Sequence, residues 1–307
     1  MGKQFLDKYT GIFTDLLTFD SGFNAFLTGI PTPTLTEAKG ARSRIKGAFE
    51  EWNHALEAVL RGEDPTFKWR DLSDVLETMR PRIKALQTIK LPNEFSVASN
   101  AAVYLGLVVN ANKVIFWMLP HIISTPTPLQ NIRKEIKPYA IVTKDGDSEN
   151  LKLNVVKATF YESMRLYTAG TSYKKVLQNV TLTESDEDAY PFGKRRGETY
   201  YISAGSYLAI PHATMQTDPR LWNNPSSFSE RFLVADEKAL KADIRHLNAF
   251  GGGNSVCKGI YFAEREVMIF IAGFLSIGIS SLLEMVGRTR VNIIMVLGPR
   301  IQSARFE

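Results

Sequence analysis

The chain contains one cysteine, Cys257, in the run Phe250-Gly251-Gly252-Gly253-Asn254-Ser255-Val256-Cys257-Lys258-Gly259. Four of the nine residues that accompany it there are glycine. Glycine gives up side-chain packing and gains backbone conformations that other residues avoid. A run this rich in glycine cannot serve as a helix or strand interior, and a lone thiol cannot close an intramolecular disulfide. The run therefore reads as a loop that presents one thiolate at the start of the apolar segment behind it. A glycine-rich turn around a buried cysteine is the plainer alternative. Backbone N–H groups freed by glycine can point at the sulfur. A helix that starts just after Cys257 adds its positive end, which favours a thiolate. Gly253 lets the backbone lie close to a flat ligand, Gly259 allows close packing at the helix start, and Phe250 is placed to shield the sulfur edge.

A length of 307 residues accommodates one large domain or two small ones. No linker divides the chain, so it reads as a single domain over 1–307. Hydrophobic residues at 44% and charged residues at 22% are ordinary for a globular protein. The net charge of +5 is modest and spread along the chain, which gives no support for a nucleic-acid partner. One cysteine argues against a disulfide-stapled secreted protein and fits a reducing compartment. Residues 1–7 lack the apolar core of a signal peptide or anchor. Leu6 stands where a myristoylation signal requires Ser or Thr.

Two segments are apolar enough to raise a membrane question. Residues 97–123 are interrupted by Asn100, Asn110, Asn112, Lys113 and Pro120. Residues 267–283 carry no charge and approach spanning length. The plainer reading of the second is a helix buried on all sides in a large core.

Elsewhere the first 90 residues read as amphipathic helices. Ile45, Phe49, Trp52, Leu56 and Leu60 recur at helical steps over 38–60. Leu72, Val75, Leu76, Met79 and Ile83 form a second face, restarted at Pro81. Residues 94–123, 129–139, 154–167 and 259–286 read as helices, and 143–150 as a polar loop. Residues 174–183 and 199–210 are rich in β-branched and aromatic residues, with a turn at Gly205. A charged, exposed loop is expected over 184–198, irregular coil with short helices over 211–250, and a hairpin over 289–301. The fold class is mainly α with a small β element.

Two further motifs accompany the cysteine run. Glu162 and Arg165 stand three apart on one helix face. Taken alone, such pairs are usually solvated. Arg231, in Phe228-Ser229-Glu230-Arg231-Phe232, can join them as a third member. The Glu-x-x-Arg helix, the Phe-x-x-Arg-Phe segment and the Phe-x-x-Gly-x-x-x-Cys-x-Gly loop, in this order, resemble the cytochrome P450 superfamily. Asp218-Pro219-Arg220-Leu221-Trp222-Asn223-Asn224-Pro225 also looks like that family's lead into the arginine motif. The resemblance runs from about residue 20 to the end.

It implies a cytochrome P450-like fold lacking its N-terminal portion. It implies haem b with Cys257 as the axial thiolate and metal ligand, and Phe250, Gly253, Gly259 and Lys174 as cofactor-binding residues. Glu162, Arg165 and Arg231 become the network that locks the cysteine loop in place. Residues 97–123 become the helix across the distal haem face, and 267–283 the buried helix running from the cysteine. Asn110 and Asn112 stand where the family's acid–threonine pair is usual, and are the candidate catalytic residues. Asn110 resembles the branch containing prostacyclin synthase and the sterol 7-alpha-hydroxylases. A polar residue bonded to its own helix is the alternative reading of it. Ser255 and Lys174 stand where the family commonly uses arginine or histidine toward haem propionates.

The activity implied is monooxygenation of an apolar small molecule (a sterol, terpenoid, fatty acid or polyketide). It uses O2 and electrons from an NADPH-dependent reductase that meets Lys241, Arg245 and Lys258. A reductase-free isomerase or dehydratase acting on a peroxide, and a catalytically inactive truncated chain, are the competing expectations. The family's place is the cytosolic face of the endoplasmic reticulum membrane. The missing anchor leaves membrane association and a cytoplasmic location both open.

Overall fold

The computed structural model describes residues 1–27, 35–65, 68–69, 72–73, 75, 77, 79–139, 153–168, 170–235, 240–244 and 247–277. Two compact units emerge, Met1–Asn112 and Lys113–Glu307. The expected polar loop at 143–150, the hairpin at 289–301, Leu76, Arg245 and the helix beyond 277 lie outside the described residues.

The first unit is helical. Helices α1 (Lys3–Lys8), α2 (Ile12–Leu27), α3 (Thr36–Leu60), α4 (Met79–Thr88) and α5 (Asn93–Leu105) enclose one apolar core. The α3 stripe read from the sequence is the heart of it: Ile45, Phe49, Trp52 and Leu56 are all buried. Phe49 packs its ring 5.1 Å from Phe5 and 5.7 Å from Tyr104. Leu72, Val75, Met79 and Ile83 are buried against the same core, with Pro81 in the first turn of α4. At Gly22 a side chain would stand 2.7 Å from the Ala38 Cβ, so α2 and α3 approach where only glycine fits.

After α5 the backbone widens into a π-helical turn, Gly106–Asn110, and resumes as α6 (Ala111–Ser124). Together they form one unbroken helix, Asn93–Ser124, long and apolar enough to cross a membrane by length and composition.

In the second unit α7 (Pro126–Ile136) begins with proline at its first position, where a missing N–H costs nothing. Its Glu135 carboxylate accepts the Val155 and Val156 amides, capping the N-terminus of α8 (Asn154–Tyr167). Nine of the fourteen α8 residues are buried, which makes α8 a central helix rather than a surface one.

Among the described residues the β element is three two-stranded antiparallel ladders. Strand β1 (Thr171–Lys175) pairs with β4 (Tyr207–Pro211), and β2 (Val180–Thr183) with β3 (Thr199–Ile202). Gly205 turns at φ 87°, as expected between β3 and β4. The charged segment between β2 and β3 is more ordered than a bare loop. It holds α9 (Asp186–Ala189), capped by Ser185, with Ala189 buried. After α10 (His212–Gln216), the segment expected to be coil contains a hairpin, β5 (Leu233–Ala235) with β6 (Leu240–Ala242). Three-residue strands are too short to show an alternation that a sequence reading can separate from coil.

The last described helix is α11 (Ile260–Ile277). It is not buried on all sides. Val267, Ile271 and Leu275 form a buried stripe at four-residue steps, whereas Tyr261, Phe262, Ile269 and Phe270 are exposed.

Truncating Phe49 to alanine removes a fully buried ring from the first unit's core. The expected cost is about 3–5 kcal/mol, read as a lower urea midpoint for that unit.

Candidate functional site

Helix α8 carries Glu162 and Arg165 on one face, and both are fully buried. Arg165 donates through Nε and Nη2 to the two Glu162 oxygens, each at 2.9 Å. Arg231 donates Nε to both oxygens of the same carboxylate, also at 2.9 Å. One carboxylate thus lies between two guanidinium groups, and the Ser229 amide adds a further bond at 3.2 Å.

The outer faces of the guanidiniums are satisfied by main-chain carbonyls. Arg165 reaches the Gln216 carbonyl at 2.6 Å, and Arg231 reaches those of Asn223, Asn224 and Ser227. Asn224 adopts φ 48°, a left-handed conformation that asparagine tolerates. Trp222 lies under Arg165, 5.4 Å from ring centre to guanidinium carbon. The sequence pattern identified the three charged residues. It marked the run 218–225 that holds Trp222, Asn223 and Asn224 without their individual contacts, and it missed Gln216, because these contributions are mostly a carbonyl or a ring face that no residue-type pattern encodes.

The cysteine loop follows. The Cys257 amide donates to the Phe250 carbonyl at 2.9 Å and closes the loop on itself. Inside it, Gly251 and Gly253 take φ 71° and 59°, as the glycine run requires. Cys257 is exposed. Helix α11 starts at Ile260, three residues after the sulfur. At Gly259 an added Cβ would meet only the Cys257 sulfur, at 3.8 Å, among the described residues. The nearest group to Gly259 is therefore the thiol rather than a packed helix neighbour. Phe250 sets its ring 6.1 Å from that of Phe160 on α8.

Lys174 on β1 donates to the Ser255 hydroxyl at 2.8 Å, so the two residues singled out for their departure from the family pattern meet each other. The loop fits haem. It offers an exposed thiol, open space among the described residues where side chains on Gly252 and Gly253 would stand, and a lysine ammonium held at its rim.

Asn110 ends the π-helical turn and Asn112 follows in α6, and both are exposed. They belong to the first unit, whereas Cys257 and the network belong to the second.

A second cluster lies in the second unit, and of its members the sequence pointed only to Trp117 as part of an apolar pocket wall. His121 on α6 stacks on Phe228 at 4.1 Å and meets the Tyr167 hydroxyl at the end of α8. Trp117 stacks on Tyr167, at 4.2 Å. Burial holds the His121 imidazole below its ordinary pKa, against an opposing pull from the Glu162 charge.

Two outcomes follow. Glu162→Ala leaves two guanidiniums facing each other without a counter-charge. It should cost about 3–5 kcal/mol in a denaturant titration, with Arg231→Ala costing less because that side chain is partly exposed. His121 favours its neutral form in the folded chain. Its contribution to stability is therefore present above the unfolded pKa of about 6.5 and is lost as pH falls from there toward the folded value. An NMR titration of the His121 ring should give a midpoint below 6.5 that rises in Phe228→Ala.

Comparisons with known proteins agree with this geometry. Residues 3–276 match the family described as Cytochrome P450. That match begins earlier than residue 20 and stops before the end of the chain. The chain is 24% identical over 274 residues to a cytochrome P450 monooxygenase of Gibberella zeae, covering 85% of this chain and 48% of that one. It is 29% identical to the ferruginol synthase of Salvia fruticosa, covering 72% and 42%. It is 22% identical to the strychnine-11-hydroxylase of Strychnos nux-vomica, covering 89% and 52%. The crystal structure of a cytochrome P450 (CYP102L1) superposes with a TM-score of 0.56 at 18% identity, covering 80% of this chain and 54% of that one. The chain spans about half the length of the curated relatives it matches. With a glycine-built cysteine loop, a carboxylate locked between two arginines and a family match over most of its length, the chain belongs to the cytochrome P450 family, whose cofactor is haem held by a cysteine thiolate.

Proposed function

We propose that the chain serves haem-thiolate monooxygenation of an apolar small molecule, with Cys257 as the axial ligand. The observation that carries this reading is the position of α8. One face of it fixes Glu162, Arg165 and Arg231, and its Phe160 touches Phe250 at the root of the cysteine loop. The relatives named as monooxygenase, synthase and hydroxylase support the reaction class.

Haem held by a thiolate supplies O–O cleavage and oxygen transfer when bound. The overall balance places one atom of O2 in the substrate and releases the other as water, with two electrons from a reductase and two protons. Cys257 supplies the negative sulfur, and Gly251 and Gly253 bend the backbone so that the thiol stays exposed. Lys174 offers one positive charge toward a carboxylate of the cofactor. As a point charge it orients that carboxylate less strictly than a two-pronged arginine. Asn110 and Asn112 would hydrogen-bond ordered water, and that water would carry the protons in place of an acid–threonine pair. Lys241 and Lys258 receive an acidic reductase.

The reduced carbon-monoxide difference spectrum of the purified 307-residue chain should show a thiolate-type band that Cys257→Ala abolishes. A colourless protein with no such band would overturn the proposal. Product formed with a hydroperoxide alone, and none with reductase and NADPH, would replace monooxygenation by peroxide isomerisation.

A further inference from the structure

Helix α8 meets the cysteine segment at two places, Phe250 before the sulfur and Glu264 after it, and neither contact is made by the charged network. On a different face from Glu162, Tyr161 donates its hydroxyl to Glu264 Oε1 at 2.7 Å, and both residues are buried. Lys157, one turn earlier on α8, holds Glu264 Oε2 at 2.8 Å and lies 5.6 Å from the centre of the Tyr161 ring. Glu264 sits in the second turn of α11, seven residues after Cys257. Its carboxylate is taken into the α8–α11 interface with both oxygens bonded, the condition under which a buried charge is tolerated. Burial and the bond to Glu264 raise the Tyr161 phenol above its ordinary pKa, so the hydroxyl stays a donor through the alkaline range.

The adjoining residue Phe160 packs against Phe250. Three α8 residues therefore hold the loop at both ends. Phe160 grips the entry, where Phe250 also accepts the Cys257 amide, and Tyr161 with Lys157 grips the exit through Glu264. The segment between, residues 251–263, holds four glycines and no buried side chain to fix it.

We propose that Tyr161, Lys157 and Glu264 are positioning residues for the Cys257 thiolate, acting by fixing the first turns of α11 against α8. The proposal rests on Cys257 being the iron ligand, and its test separates the two.

The single cysteine allows a direct readout. A nitroxide spin label on Cys257 of the haem-free chain reports the mobility of the loop. Tyr161→Phe and Glu264→Gln should each convert an immobilised spectrum to a mobile one at a folded fraction matched by circular dichroism. Lys157→Arg, which keeps the charge, should stay close to the parent. In the haem-loaded chain the same two variants should shift the reduced carbon-monoxide complex from the thiolate-type band toward the band of a neutral ligand. Unchanged label mobility in both variants overturns the positioning role, even if they lower the melting temperature, because a merely stabilising contact lowers stability without freeing the loop. If the parent chain shows no thiolate band, the ligand reading fails, and the spin-label comparison still decides whether this cluster orders the loop.

Discussion

The second unit depends on one buried carboxylate. Glu162 is removed from water between two guanidinium groups and a backbone amide. Such a cluster is not a reservoir of stability. Desolvation of its charges offsets most of their attraction, and an apolar replacement of equal shape is often no worse. Its effect is to specify geometry. A guanidinium presents donors in a rigid fork, so each carbonyl that accepts from it is fixed in direction as well as distance. Arg165 and Arg231 together specify where residues 216, 223, 224 and 227 pass, along a segment with little regular structure. An irregular chain that cannot pair its own carbonyls in a ladder finds donors in the two arginines instead.

Helix α8 distributes this order in several directions. Glu135 caps its start, Tyr167 ends it in a stack with Trp117, and between them its faces meet the arginine segment, the cysteine loop and α11. That is why it carries so little solvent exposure for a helix of its composition. Lys157, Glu162 and Arg165 would suit a surface helix, and a sequence pattern that expects one dry face misjudges it.

The helices of the first unit were legible because their apolar residues repeat at helical steps. The α3 stripe from Ile45 to Leu56 predicts its own burial. The cysteine loop and the charged triad were legible because their chemistry demands particular residues: glycine for the left-handed turns at 251 and 253, arginine for forked donors. What escaped was held by backbone groups that every residue possesses, or by side chains that meet across long stretches of chain. The β5–β6 hairpin is made of backbone bonds over three-residue strands. The bond from Lys174 to Ser255 joins residues 81 positions apart, and that from Tyr161 to Glu264 joins residues 103 apart. α11 was misjudged for a different reason. Its run of apolar residues hides a stripe that only the placement of a neighbour reveals.

The π-helical turn at Gly106–Asn110 is, in effect, a one-residue stagger inside an otherwise continuous rod. Each residue of an α-helix advances about 100° around the axis. The stagger therefore rotates every side chain after Asn110 relative to a wheel drawn from Asn93. The two halves of the helix become separate registers: the half before the turn answers to the core around Phe49, and the half after it, with Trp117 and His121, answers to different neighbours. Because the turn already accommodates a supernumerary residue, substitutions that reface one half need not reface the other.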